Sequence, residues 1–218
     1  MLLRLAYGLY DRVAAVSHAQ GVWLRRTGTV PARKLKIIRS FVDLSAFEAL
    51  APAAGPIRVI GAIGRLEPQK GFDALIREFR SADRPDLELH IYGTGSEEAK
   101  LRALAGSDPR IKLKGFVSDP VSAMENVDAI VMPSRWEAYG LVAIEALAAR
   151  RPLFVSGLDG LRDHLSWGAR EVPNDVPGAW RLAIEEMPRE AISGSRSQSL
   201  DCLEGEFLDA WKTEAISV

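Results

Sequence analysis

With 218 residues, 47% of them hydrophobic and 26% charged, and a formal net charge of −1, the chain carries apolar material for one good core with a small appendage but not for two full domains. The balanced charge excludes bulk attraction to nucleic acid, and no run approaches the ~18 apolar residues of a membrane-spanning helix. The single cysteine, Cys202, excludes an internal disulfide and fits a reducing compartment, so a cytoplasmic protein is expected.

The chain opens on "MLLRLAYGLYDRVAAVSHAQ" (1–20). Its apolar stretch is cut by Arg4 and by Asp11-Arg12, too early for the core of a signal peptide. Leu2, Leu3, Leu5 and Leu9 predict an apolar patch at this end, compatible with self-association, with a separately encoded partner or with peripheral attachment to a membrane. "RVAAVS" (12–17) reads as a strand, "HAQGVWLRRTG" (18–28) as a helix and "KLKII" (34–38) as another strand. "DLSAF" (43–47) then leads into the proline- and alanine-rich "LAPAAGP" (50–56). One strand and one helix ahead of a linker look like the tail of a different sheet whose other strands are absent.

From residue 57 a rhythm sets in. Strands are predicted at "IRVIGAI" (57–63), "LELHIYG" (87–93), "RIKLKGF" (110–116), "DAIVMPS" (128–134) and "PLFVS" (152–156). Helices are predicted between them at "GFDALIREF" (71–79), "SEEAKLRALAG" (96–106), "DPVSAMEN" (119–126) and "GLVAIEALAAR" (140–150). This alternation predicts an α/β, Rossmann-like, doubly wound and mostly parallel sheet of about six strands. "REAISGSRSQS" (189–199) reads as an exposed link to a last helix near 200–213. The expected division is residues 1–50, 51–190 and 191–218.

In such a sheet ligands bind beyond the carboxyl ends of the strands. The segment after the first strand, "GRLEPQKG" (64–71), offers Gly64, Arg65 and Lys70; that after the fourth, "SRWEAYGL" (134–141), offers Glu137 and a helix opening at Gly140. Arg65 and Lys70 supply fixed positive charge, and the helix start supplies free N–H groups, which together suit a diphosphate. Glu137 and Glu145 flank that position as acceptors for hydroxyl groups. A diphosphate between two hydroxyl-bearing rings is a nucleotide sugar. In "GTGSEE" (93–98) Ser96 reads as a helix cap, His90 as a packed strand residue and His18 as a helix start. His164 follows a loop near the proposed site. Trp136 could shape a sugar pocket, whereas Trp23, Trp167, Trp180 and Trp211 read as packing residues.

"GRLEPQKG", the two glutamates of "PSRWEAYGLVAIEAL" (133–147) and "LHIYGTGSEEAKL" (89–101) resemble the nucleotide-binding half of retaining GT-B glycosyltransferases of the group 1, family 4 type, over residues 12 to about 186. "RVAAVSHAQGVWL" resembles the last strand and helix of that family's acceptor domain, and "KLKIIRSFVDLSAF" the crossing between its domains. The resemblance implies that Arg65 and Lys70 hold the donor diphosphate, that Glu137 binds the donor sugar and that Glu145 binds the ribose. Backbone groups of Tyr139, Gly140, Leu141 and Val142 would meet the phosphates, and the base would rest near Phe116 and Val117. It implies hexosyl transfer with retention from a UDP- or GDP-sugar, without a metal or other cofactor, in polysaccharide or glycolipid synthesis. The sequence departs from the family at Ala138, at Arg39-Ser40-Phe41 in place of Pro-Asn-Gly, at Arg150-Arg151 in place of a glycine, and at "DGLRDH" (159–164) where two glycines are usual. The family's acceptor loop and its histidine have no counterpart. A non-catalytic nucleotide-sugar-binding module, or a remnant lacking the acceptor domain, is the alternative expectation.

Overall fold

In the computed structural model, which describes residues 2–190 and 203–215, a central strand β3 (Val59–Ile63) is flanked on one side by β4 (Glu88–Tyr92) and β5 (Ile111–Gly115). On its other side lie β6 (Ala129–Met132), β7 (Leu153–Ser156) and β8 (Arg170–Val172). All six strands are parallel, in the order β5-β4-β3-β6-β7-β8. The order reverses between β3 and β6, which is the switch point where a doubly wound sheet leaves a crevice. The Asp128 carboxylate fixes the two strands there by accepting from the Arg58 and Val59 N–H groups at 2.9 and 2.8 Å.

Both faces of the sheet are covered, so its inner strands β3, β6 and β7 are apolar almost without alternation, whereas the edge strands β5 and β8 carry exposed charges. Ala129 and Val131 of β6 join one core with Leu75, Ile76 and Phe79 of α4 (Phe72–Ser81), Leu101 of α5 (Glu98–Ala105) and Ile184 of α9 (Ala179–Glu185). Ile130 and Met132 turn the other way, toward Met124 of α6 (Pro120–Glu125), Ile144 of α7 (Leu141–Ala148) and Leu161 of α8 (Asp159–Arg162). Burial on both sides is what makes a parallel sheet viable.

Ahead of this sheet stand α1 (Leu2–Gly8), β1 (Val13–Ala15), α2 (His18–Arg26), β2 (Leu35–Ile37) and α3 (Ser45–Glu48). β1 and β2 pair in parallel over a small core of Ala15, Leu24, Val30 and Leu35. The unit is pinned to the main sheet by Asp163, which accepts from the His18 N–H at 2.9 Å and pairs with Arg39 at 3.4 Å. A last helix, α10 (Leu203–Ala215), returns to it, with the rings of Phe41 and Phe207 5.9 Å apart. No helix among the described residues is long and apolar enough to cross a membrane.

Several local expectations are corrected. Ser96 does not cap α5; its hydroxyl and N–H instead bind the Glu67 carboxylate at 2.7 and 3.1 Å, because the preceding loop brings Glu67 within reach. Trp23 is half exposed rather than packed. β8 and α9 complete the fold where no element was expected. Leu5 and Leu9 are exposed, at 64% and 88%, as the patch expectation requires. The side chains of Leu2, Leu3 and Trp211, the link 191–199 and Cys202 lie outside the described residues.

Arg150 adopts the left-handed conformation (φ 53°) that a helix end normally assigns to glycine. Its guanidinium reaches the carbonyls of Glu48 and Leu50. Arg151, 6% exposed, donates to the carbonyls of Met124, Ala51 and Ala149 at 3.1, 2.8 and 2.9 Å. The two arginines replace a flexible stop with a clamp on the linker. Arg151→Ala is expected to cost about 3 kcal/mol, since three carbonyls lose a charged donor, and urea denaturation reads this directly.

Candidate functional site

The site is built from the loops that leave β3 and β6. After β3 the chain runs through Gly64 and Arg65 into a short 3₁₀ turn, Pro68–Lys70, and then into α4. Gly71 joins turn to helix at φ 69°, and a Cβ there would lie 2.1 Å from the Pro133 carbonyl oxygen, so only glycine fits. The second loop lies against the first. The Arg135 N–H donates to the Gln69 carbonyl at 2.7 Å, the Arg135 guanidinium to the Pro68 carbonyl at 2.6 Å, and the Gln69 amide to the Trp136 carbonyl at 3.1 Å. Arg135 also pairs with Asp73 in the first turn of α4 at 2.8 Å. Burial raises the Asp73 carboxyl, but hydrogen bonds from Arg135 and Arg77 outweigh it and hold the group below its usual range.

Across this seam Lys70 and Glu137 meet at 2.6 Å, with only 15% and 11% of their side chains exposed. Gly64 leaves room for the lysine: a Cβ there would stand 3.3 Å from Lys70 Cε. Gly140, at φ 87°, admits the glutamate: a Cβ there would stand 3.3 Å from Glu137 Cγ and 2.8 Å from Leu161 Cδ2. Gly64, Lys70, Glu137 and Gly140 therefore form one continuous patch at the switch point.

Gly140 opens α7, which no side chain caps. Its first loop-type bond runs from the Ala143 N–H to the Gly140 carbonyl at 2.9 Å, and the amides of Leu141 and Val142 have no acceptor among the described residues. Those amides and the aligned peptide dipoles give this end a partial positive charge. One turn along α7, Glu145 is half-buried and makes no hydrogen bond to a described residue. Burial alone pushes its carboxyl above the ordinary value of 4.5. A desolvated carboxylate without a donor is characteristic of a site that receives hydroxyl groups.

On the β4 side, Gly64 and Arg65 line a cavity of about 220 Å³ together with Tyr92, Phe116 and Val117. Phe116 is 73% exposed, and the Arg65 side chain hydrogen-bonds no described residue. Tyr92 closes the cavity with a buried hydroxyl that has no partner among the described residues; its place at the end of a buried strand hid it from sequence reasoning.

The Tyr139 ring, by contrast, is in the core, 4.7 Å from the His164 ring, so Tyr139 faces the site through its backbone alone. His164 is fully buried, and burial lowers its pKa despite the Tyr139 carbonyl beside it. The neutral ring donates from Nε2 to that carbonyl at 2.6 Å and so fixes the turn before Gly140. Gly160, from the "DGLRDH" segment, packs against the same turn, with a Cβ position 2.1 Å from the Glu137 carbonyl oxygen. Trp136 is 62% exposed beside Glu137.

Residues 57–188 match the family described as glycosyl transferases group 1. The chain belongs to this family. Among curated proteins it is 32% identical over 157 residues to a glycogen synthase of Mycobacterium tuberculosis, covering 66% of this chain and 38% of the relative. It is 26% identical over 203 residues to the D-inositol 3-phosphate glycosyltransferase of Thermobispora bispora, covering 81% of this chain and 47% of the relative. The chain thus spans less than half the length of these two relatives. Among solved structures, Anabaena HepE in complex with UDP and glucose superposes with a TM-score of 0.76 at 20% identity, over 98% of this chain and 66% of that one. The sucrose-phosphate synthase of Thermosynechococcus elongatus does so with a TM-score of 0.78 at 21% identity, over 98% and 59%. The architecture is that of a GT-B glycosyltransferase.

Two changes test the electrostatics. Lys70→Ala leaves Glu137 desolvated without its partner and should cost about 3 kcal/mol, part of which returns in the Lys70→Ala/Glu137→Ala double variant; chemical denaturation of all three chains checks this. Glu145→Gln should raise the melting temperature at pH 7, because a carboxyl whose pKa is raised on folding costs stability when ionised. That advantage should vanish as the pH falls below 4.5, the ordinary glutamate value.

Proposed function

We propose that this chain is the donor-binding half of a retaining glycosyltransferase of the family 4 type that uses a UDP- or GDP-sugar. The observation that carries this reading is the single patch of Gly64, Lys70, Glu137 and Gly140 at the switch point, joined on one side to the Arg65–Phe116–Val117 cavity and on the other to α7. In it the base rests by Phe116 and Val117, Glu145 takes the ribose hydroxyls, and the diphosphate lies on the amides of Leu141 and Val142. Lys70 turns from Glu137 toward the phosphate oxygens, Arg65 approaches from the cavity side, and Glu137 is then released to the donor sugar. The UDP and glucose bound to Anabaena HepE are the ligand type this arrangement calls for.

The bond between the anomeric carbon and the β-phosphate oxygen breaks while the acceptor oxygen attacks from the same face, and the acceptor proton passes to the departing diphosphate. Charge grows on the diphosphate as that bond opens, so fixed donors aimed there lower the barrier, each by a few kcal/mol. With two cationic side chains and a helix start supplying this charge, the transfer proceeds without a metal. The acceptor half meets the β1–β2 unit, whose exposed Leu5, Leu9, Tyr10 and Trp23 offer it an apolar face. The names of the relatives, glycogen synthase among them, point to synthesis of a polysaccharide or glycolipid.

Calorimetry with UDP, GDP and their sugars tests donor binding, and a transfer or hydrolysis assay tests turnover. UDP or GDP should bind, and Arg65→Ala and Glu145→Ala should each weaken it by about tenfold or more. Unchanged affinity in both variants would refute the site. Binding with no turnover in any combination of partners would favour a nucleotide-sugar-binding module over an enzyme.

A further inference from the structure

A second crevice opens on the same carboxyl rim of the sheet, on the face opposite α7. Ser134 follows β6, Ser156 ends β7, Asn174 and Asp175 follow β8, and Glu78 of α4 and Trp180 of α9 close it around a volume of about 470 Å³. Ser156 is the telling residue. Its position alternates with Val155 and shares a face with Phe154, which lies in the apolar core with Trp180. An apolar side chain would satisfy that place. The chain instead holds a hydroxyl there, on a residue 1% exposed, that has no hydrogen-bond partner among the described residues. Ser134, 2% exposed on the neighbouring strand end, likewise makes no side-chain hydrogen bond among the described residues. The Ser156 hydroxyl, withheld from solvent at the floor of the crevice, carries a desolvation penalty that a ligand would remove, and the Ser134 hydroxyl beside it adds a second polar group.

The remaining groups define what that ligand is. Neither Glu78 nor Asp175 has an ion pair among the described residues, while the cation at the rim, Arg135, is committed to Asp73 at 2.8 Å and to the Pro68 carbonyl at 2.6 Å. The crevice lining therefore sets two carboxylates against one cation, Arg135, which shares Asp73 with Arg77 and Lys100, and offers a phosphate or nucleotide no cation of its own. It asks for a partner that donates several hydrogen bonds, accepts from serine hydroxyls and lays C–H faces on Trp180 and the prolines at 133, 173 and 177. A neutral sugar ring meets all three requirements. A polyamine meets only the first and the last.

We infer that this crevice is a saccharide-binding site, separate from the diphosphate site and independent of that assignment. The stretch from Pro133 to Glu137 is the wall between the two.

Ligand-observed saturation-transfer NMR on the purified chain, with glucose, N-acetylglucosamine and maltotriose as probes and spermidine and inorganic phosphate as comparators, tests this. At least one saccharide should bind in the millimolar range. The Glu78→Gln/Asp175→Asn variant should weaken it about tenfold, the loss of charged acceptors. Ser156→Ala should weaken it too while raising the melting temperature, since an unpaired hydroxyl is removed from the interior. Arg65→Ala/Glu145→Gln, altered in the diphosphate site, should bind the saccharide as the parent chain does. The inference is overturned if no saccharide binds at about 10 mM, or if spermidine alone responds to the crevice variants. It is equally overturned if saccharide binding is lost in the diphosphate-site variant and kept in the crevice variants, or if Ser156→Ala lowers the melting temperature, which would make the hydroxyl a structural bond.

Discussion

The loops that leave β3 and β6 belong to different halves of the sheet, and everything proposed for this chain depends on their being locked together. The lock is mostly backbone. Gly71 lies under the Pro133 carbonyl where no side chain fits, the Arg135 N–H donates to the Gln69 carbonyl, and the Gln69 amide donates to the Trp136 carbonyl across the seam. With the backbones fixed at this separation, Lys70 and Glu137 have little choice but to meet, and both are desolvated when they do. The cost of that desolvation is tolerable because the two charges cancel. It also means that a ligand carrying its own negative charge can displace the glutamate from the lysine without creating a bare buried cation. A diphosphate linked to a sugar would replace one partner and supply hydroxyl donors to the other.

Much of the sheet was legible because burial on two faces leaves an unusual trace: runs such as "VIGAI" and "AIVM" that are apolar without alternation. β8 escaped because it is an edge strand of three residues, two of them the exposed Arg170 and Glu171. Ser96 was misread for a different reason. Its capping potential is real, but Glu67 is 29 positions away in sequence and adjacent in space, and the stronger acceptor won. The proximity of Gly64, Lys70, Glu137 and Gly140 in the candidate site was legible, because charge and glycine stand there in a recognisable spacing. Tyr92 was not legible, since it looks like a core residue in one dimension and shows its orphaned hydroxyl only in space; His164 was expected near the site by its loop, but its full burial and its contact with the Tyr139 carbonyl were not.

Two of the departures from the family pattern have structural answers, while nothing in the structure explains Ala138. Arg150 and Arg151 replace a helix-ending glycine and hold residues 48–51 by their carbonyls, so a conformational penalty at Arg150 is set against hydrogen bonds that fix the linker. Arg39, in place of a turn sequence, pairs with Asp163 and lies 5.7 Å from the Trp167 ring. Asp163 adjoins His164, which holds the Tyr139 carbonyl. The β1–β2 unit is therefore wired to the turn that opens α7, and the two halves of the chain meet at the residues that would feel a phosphate.

The central claim is that one ligand spans the β3 and β6 loops, and titration of UDP into the isotope-labelled chain, followed by amide NMR, tests it most directly. The amides of Gly64, Arg65, Leu141 and Val142 should shift together along a single binding curve, with Phe116 and Val117 following the same curve. Shifts confined to one loop, or two loops titrating with different midpoints, would contradict a shared site.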